Sequence, residues 1–198
     1  MSRQESIYAL GGNGYAFKTD NRLIANSYRL KWEEFFKKWI SQEQQGFVSG
    51  RSIIKDILDI ERASLKTAAK GENGGIILFD FASAFPSISQ QFMLAWMKQI
   101  GMPESALNVM TALYDCNRCK VSFRSGIYDG FRMESGVRQG CPISPLIFCI
   151  CADLLLEKIK RALPTATVRA YADDTAVVVQ DLDTDLPVLQ QVFEEYSQ

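Results

Sequence analysis

The stretch Arg169–Val179, RAYADDTAVVV, sets two adjacent carboxylates inside a run of small and β-branched residues. Val168, Ala170, Tyr171 and Ala176–Val179 are strand formers in alternation or in a short run. Asp is depleted in strands, and burying it unpaired is costly. A hairpin with Asp173 and Asp174 at its turn meets both demands, and it leaves two negative charges for the rest of the fold to compensate.

A third carboxylate has a related setting. GGIILFDF reads as a buried strand, Ile76–Phe79, that ends on Asp80. If that strand neighbours the hairpin, Asp80 and Asp173 share one side of the sheet across a strand spacing of about 4.8 Å. Three close carboxylates repel one another and drive their pKa values up unless cations neutralise them. Hard oxygen ligands select magnesium, and two such ions about 3.5–4 Å apart suit in-line phosphoryl transfer. Taken singly, each Asp reads equally well as a strand-end, capping or polar-turn residue.

The remainder of the chain supplies helices and one more strand pair. An aromatic-rich helix is expected from about Asn21 to Ile40, its Trp32, Phe35, Phe36 and Trp39 reading as core. Ser52 is placed to cap a helix carrying Ile53, Ile54, Ile57, Leu58, Leu65 and Ala68 and closing at Gly71. SISQ, Ser87–Gln90, has capping-box spacing for a helix ending near Gly101, and Pro103–Glu104 start another to about Cys116. A strand pair is expected around Gly126–Gly130, then a loop and a long apolar helix begun by Ser144 and Pro145 and ending near Ala162. DLPVLQQVFEEYSQ begins a last helix. One α+β domain is the expected class.

Composition narrows the chemistry. The chain has no histidine, which excludes His-based triads, His zinc ligands and His general acids within it. Five cysteines without framework spacing favour a reducing compartment. Cys116 and Cys119 in CNRC have zinc-pair spacing but lack two further ligands, so no zinc is expected. PISPLIFCICADLLLEKI is broken by Asp153, so no membrane span is expected either. GGNGY, Gly11–Tyr15, lacks the Gly-Lys-Ser/Thr ending of a P-loop. The net charge of −1 argues against nucleic acid, yet Arg22, Arg29, Lys31, Lys37, Lys38, Arg51 and Lys55 make the N-terminal third locally basic.

Four stretches in order carry a resemblance: ISQEQQGFVSGRSIIKDI, LFDFASAFPSI, SGVRQGCPISPLIF and YADDTAVV. Together they resemble the reverse transcriptases of non-LTR (LINE-type) retrotransposons and the related group II intron enzymes. The first is similar to a fingers segment, and the others to three successive palm motifs. The resemblance implies a right-hand polymerase palm, an antiparallel sheet backed by helices, with part of the fingers. Residues 21–75 or so correspond to fingers and 76–198 to a palm that stops before the fourth palm motif and the thumb.

It also implies RNA-directed DNA synthesis, with RNA template, DNA primer and dNTPs as partners and two Mg2+ ions (Mn2+ as a substitute) as cofactors. Asp80, Asp173 and Asp174 become the catalytic, metal-binding carboxylates, and the Phe81 backbone carbonyl a further metal ligand beside the nucleotide. Phe85 matches the aromatic that excludes a ribose 2′-OH, with core filling as its plainer reading. Arg138, Gln139 and Gly140 fall where the family meets the incoming nucleotide and template. Arg51 and Arg22 are candidate phosphate contacts, a surface salt bridge being the equal alternative for Arg51. YALGGNGYAF stands where the family has an Arg-Pro-Ile type sequence. A chain of this extent is expected not to elongate processively by itself. An intracellular, nuclear location follows from how such elements insert. The rival readings are a non-catalytic relic of the same fold that binds RNA or protein, and an RNA-dependent RNA polymerase, against which Phe85 and RQGCPISP argue.

Overall fold

The computed structural model describes residues 17–71, 73–81, 83–114, 118–124, 126–138 and 140–196. In chain order these form α1 (Phe17–Trp39), α2 (Ile53–Lys70), β1 (Gly75–Phe79), α3 (Ala84–Ser87), α4 (Gln90–Gln99), α5 (Glu104–Tyr114), β2 (Arg118–Phe123), β3 (Gly126–Arg132), α6 (Ser144–Ala162), β4 (Thr167–Tyr171), β5 (Asp174–Val179) and α7 (Leu182–Tyr196). The chain divides into two compact units: the part to Leu30 with Phe85–Ile143, and Lys31–Ala84 with Ser144–Gln198.

The second unit is built on an antiparallel sheet of order β1-β5-β4. Alternation decides which residues face the core. Ile77 pairs with Val177 and Val177 with Val168, so this row shares one face with Phe79, Val179 and Ala170. That face packs on Leu155, Leu156 and Ile159 of α6 and on Leu189 and Val192 of α7. The Phe79 ring lies 4.4 Å from that of Phe193. The opposite row carries Ile76 and Leu78 on β1, Ala176 and Val178 on β5, and Thr167 and Arg169 on β4. α2 lies over β4 and β5 on this side, and Arg169 donates to Asp59 at 3.0 and 2.8 Å.

Several expectations need correction here. β1 is a sheet edge, so Ile76 and Leu78 remain 50% and 76% exposed and the strand is buried on one face only. α2 begins and ends as expected: Ser52 Oγ accepts from the Ile54 amide at 3.3 Å, and Gly71 closes the helix at φ 70°. Its apolar residues nevertheless point away from the sheet, with Ile53, Ile54, Ile57, Leu58 and Leu65 all exposed. The sheet side holds Asp56, Asp59 and smaller residues because Arg169 calls for carboxylates there. In the aromatic stripe Trp32 and Phe36 are buried as expected, whereas Phe35 is 47% exposed. α7 starts three residues before the expected DLPV, where Asp181 Oδ1 accepts from the Asp183 amide at 3.0 Å.

In the first unit α4 packs on α5, and Met93 and Met97 of α4 and Ala106 and Met110 of α5 are buried. The cap of α4 is Ser89 rather than Ser87: Ser89 Oγ accepts from the Phe92 amide at 3.3 Å, while Ser87 ends the one-turn α3. Gln90 consequently does not close a capping box, and its side chain donates to the Gly136 carbonyl at 3.2 Å. β2 and β3 form the expected hairpin, with a bulge between Arg118 and Lys120.

Candidate active site

The carboxylates of interest all belong to the second unit and to one end of its sheet. The β1–β5 register runs from Gly75↔Val179 to Phe79↔Thr175, so one further step sets Asp80 against Asp174. Asp174 opens β5 and pairs with Tyr171, the last residue of β4, and Asp173 stands in the turn with Ala172. The row partner of Asp80 is therefore Asp174 and not Asp173. The strand parity that turns Phe79 and Thr175 toward the core leaves Asp174, and by continuation of β1 Asp80, on the opposite face. Asp80 and Asp174 are exposed and Asp173 is half-buried. Among the described residues no three Asp, Glu, Cys or His side chains gather closely enough to hold a metal ion. Strand pairing brings the three backbone positions together; their side chains are not drawn into one ligand set.

Phe81 follows Asp80, and its ring packs into the core, 6.1 Å from Phe193. That anchors the backbone next to Asp80. Beyond the turn, Gln44 adds a contact that sequence reasoning missed. Its buried side chain bonds both backbone groups of Ala172, accepting from the N–H at 2.8 Å and donating to the C=O at 2.9 Å. The backbone nearby forms a parallel bridge along the free edge of β4: Ala170 N–H donates to Glu43 at 2.8 Å, and Gln45 N–H to Ala170 at 2.7 Å.

The loop that carries Gln44 is itself fastened. Asp153 of α6, buried, accepts from the Ser41 amide at 3.0 Å and from the Ser41 hydroxyl at 2.5 Å. Burial holds the Asp153 carboxyl above its ordinary pKa, against the lowering pull of both Ser41 donors. Arg51 donates to the carbonyls of Ile40 at 2.9 Å and Gln44 at 2.5 Å, and also to those of Ser41 and Lys37. Both terminal nitrogens of Arg51 bond main-chain carbonyls between Lys37 and Gln44, so here the guanidinium clamps this segment and makes no surface salt bridge. Arg22 is exposed on α1. Cys149 and Cys151 are buried thiols of α6, burial pushing Cys151 up to about 12 and Cys149 further up.

The residues expected at the nucleotide lie in the first unit. Phe85, half-buried in α3, accepts from the Val137 amide at 3.0 Å, and the Gly136 amide donates to Ile88 at 2.7 Å. These bonds and the Ser89↔Ser135 bridge zip the segment before Arg138 onto the segment that carries Phe85. Gly136 sits at φ 87°, where a Cβ would meet Pro86 Cα at 3.2 Å. The Arg138 amide donates to the Tyr114 hydroxyl at 3.3 Å, and its guanidinium lies 5.8 Å from the Tyr114 ring. Gly140 is exposed at φ 77°. Gln139, Cys116 and the Gly11–Tyr15 stretch fall outside the described residues.

Comparison with known proteins agrees with this architecture. A family model described as "Reverse transcriptase (RNA-dependent DNA polymerase)" matches residues 15–198. The Xenopus laevis "Transposon TX1 uncharacterized 149 kDa protein" is 23% identical over 188 residues, 90% of this chain and 14% of that protein. The Popillia japonica "Retrovirus-related Pol polyprotein from type-1 retrotransposable element R2" is 22% identical over 142 residues, 68% of this chain and 23% of that protein. The chain thus spans less than a quarter of the length of either relative. Among solved structures, apo telomerase from Candida tropicalis truncated from its C-terminal domain superposes with a TM-score of 0.67 at 15% identity, covering 92% of this chain and 40% of that one. Telomerase from Candida albicans with a fragment of telomeric RNA gives 0.59 at 13% identity, covering 93% and 34%. The mixed helix and antiparallel-sheet fold is that of a right-hand polymerase. Among the described residues no helix is long and apolar enough to cross a membrane.

Proposed function

The chain belongs to the reverse transcriptase family, and from that premise we propose that it is the catalytic part of an RNA-directed DNA polymerase of a retrotransposon. The observation that supports this reading is the register Phe79↔Thr175, which brings the residue after β1, Asp80, and the first residue of β5, Asp174, to the same end of the sheet, one residue from Asp173. The substrates are an RNA template, a DNA primer and dNTPs, and the setting is the nucleus. The related retrotransposon proteins support the polymerase reading.

Three carboxylates supply hard oxygen donors, and those fit Mg2+, or Mn2+ in its place. Asp80, Asp173, Asp174 and the Phe81 carbonyl would hold the ions. When bound, the pair neutralises charge at the transferring phosphorus and lowers the pKa of the attacking 3′-OH. The protein's own part is placement. The β1–β5 ladder ends at Phe79↔Thr175, the residues that adjoin Asp80 and Asp174, and the Phe81 ring packs against the core beside them. Phe85 is assigned to the sugar, where a ring refuses a 2′-OH, and Arg138, Gln139 and Gly140 to the nucleotide and template. Gly140, with no Cβ, permits close backbone approach.

Primer extension on an RNA template by the full-length protein carrying this domain tests the reading. We expect metal-dependent incorporation of dNTPs in preference to NTPs. Asp173→Ala should lower incorporation by about a thousandfold or more, with an unchanged circular dichroism spectrum and melting curve. Preference for NTPs would mark an RNA polymerase. Absence of incorporation with every metal would mark a binding module.

A further inference from the structure

Ala172, the residue just before Asp173, has φ 60°. A residue with a Cβ pays on the order of 1 kcal/mol to occupy this left-handed region, so its neighbours must hold it there. Gln44 does so. Its side-chain amide is itself a peptide-like group, and it pairs with Ala172 as one more rung of the bridge along β4. Ala170 is bonded by the backbone of Glu43 and Gln45, and Ala172, two residues on, by the side chain of the residue between them. Gln44 Oε1 also accepts from the Gly46 amide at 2.8 Å, which fixes which end of the amide faces which way. Glu lacks the donor when ionised, Met lacks both groups, and Asn is one carbon short.

The site has no slack. A Cβ on Gly46 would lie 2.2 Å from the Ala172 nitrogen, so any other residue there displaces the turn. Gln44 is 0% exposed, and its own carbonyl is gripped by Arg51. A continuous set of bonds therefore runs from the loop through Gln44 to the peptide that aims Asp173.

We propose that Gln44 is a positioning residue for catalysis, its amide holding the Ala172 peptide so that Asp173 is presented at the end of the sheet. This rests on the polymerase reading above. Gln45 provides the control. It is an equally buried amide one residue away, but its side chain donates to the Gln42 carbonyl and accepts from the Ser52 amide, away from the turn.

Two measurements on the full-length protein decide the matter. The first is hydrogen exchange at Ala172, with the amides of Ala176–Val179 as reference. In Gln44→Met the Ala172 amide should exchange about tenfold faster or more while the reference amides hold. The second is single-nucleotide primer extension. Gln44→Met should lower kcat by about 10- to 100-fold, since a misplacement of about 1 Å costs that much, with KM for dNTP within about threefold. Gln45→Met should keep kcat within about threefold of wild type. Should Gln44→Met not fold, Gln44→Glu serves. It regains a donor only when protonated, so its kcat relative to wild type should rise as the pH is lowered. Unchanged Ala172 exchange or a wild-type kcat in Gln44→Met overturns the proposal, as does an equal loss in Gln45→Met or a flat relative pH profile in Gln44→Glu. Wild-type protein that incorporates nothing would refute the polymerase reading instead, and the exchange data would still show whether Gln44 holds the turn.

Discussion

Asp56 sits buried in the first turn of α2 with neither carboxylate oxygen hydrogen-bonded. Arg169 is its nearest cation at 4.0 Å, but the guanidinium fork is spent on Asp59. Burial raises the Asp56 pKa from its ordinary 3.8 to about 6, Arg169 pulling it down and Asp59 pushing it up. The folded state therefore holds this proton more tightly than the unfolded chain. Its stabilising contribution is complete below pH 3.8 and is lost as the pH rises to about 6. Urea unfolding across that window should show a falling midpoint in the wild type. Asp56→Asn should lack that part of the fall and be the more stable protein at neutral pH; a less stable variant there would show that Arg169 outweighs burial. Such residues mark the limit of a sequence reading. Asp80, Asp173 and Asp174 were legible because carboxylates at strand ends violate a local propensity. Gln44 and Arg51 were not, because their partners are backbone groups whose positions only the fold creates. Gln44 stood inside a stretch that the family resemblance singled out, the one signal that pointed to it.

Among elements, features decided locally were legible and those decided by tertiary contacts were not. The Ser52 cap, the Gly71 stop and the hairpin depend on a few adjacent residues, and each was readable, except that the turn falls on Ala172 and Asp173 and not on the Asp pair, Asp174 being already the first residue of β5. The side on which α2 lies depends on Arg169, over a hundred positions away, so its apolar stripe misled. The loop from Ser41 to Arg51 has almost no regular structure, yet Asp153 and Arg51 fasten it from two sides. Arg51 is hard to replace because a planar fork reaches several carbonyls at once, and an ammonium on a single point does not. Arg51→Lys should cost on the order of 2 kcal/mol, leaving part-buried carbonyls of Ile40, Ser41 and Gln44 short of donors. Thermal or urea unfolding measures this directly. A loss of a few tenths of a kcal/mol, the scale of an exposed ion pair, would place Arg51 back among surface salt bridges.

At the scale of the molecule, alternation in the sequence tells which strand residues face the helices, whereas the β1-β5-β4 order is set by tertiary pairing. The division into two units does not follow from alternation either, because each unit joins stretches far apart in the chain. The same scale shows apolar surface that the described residues leave uncovered. In the second unit Ile53, Ile54, Ile57, Leu58 and Leu65 of α2 are 45–64% exposed, and Ile76 and Leu78 of β1 are exposed as well. Clustered aliphatic surface of this kind promotes association in water, at about 25 cal/mol for each Å² covered. The isolated chain should therefore self-associate as its concentration rises, visible as a growing weight-average mass in sedimentation. The double substitution Ile54→Glu with Leu58→Glu should suppress that growth. Because both side chains are more than half exposed, the melting midpoint should move by no more than a degree or two. A large drop in melting temperature would mean that the stripe packs inward after all, and unchanged association would move the sticky surface elsewhere.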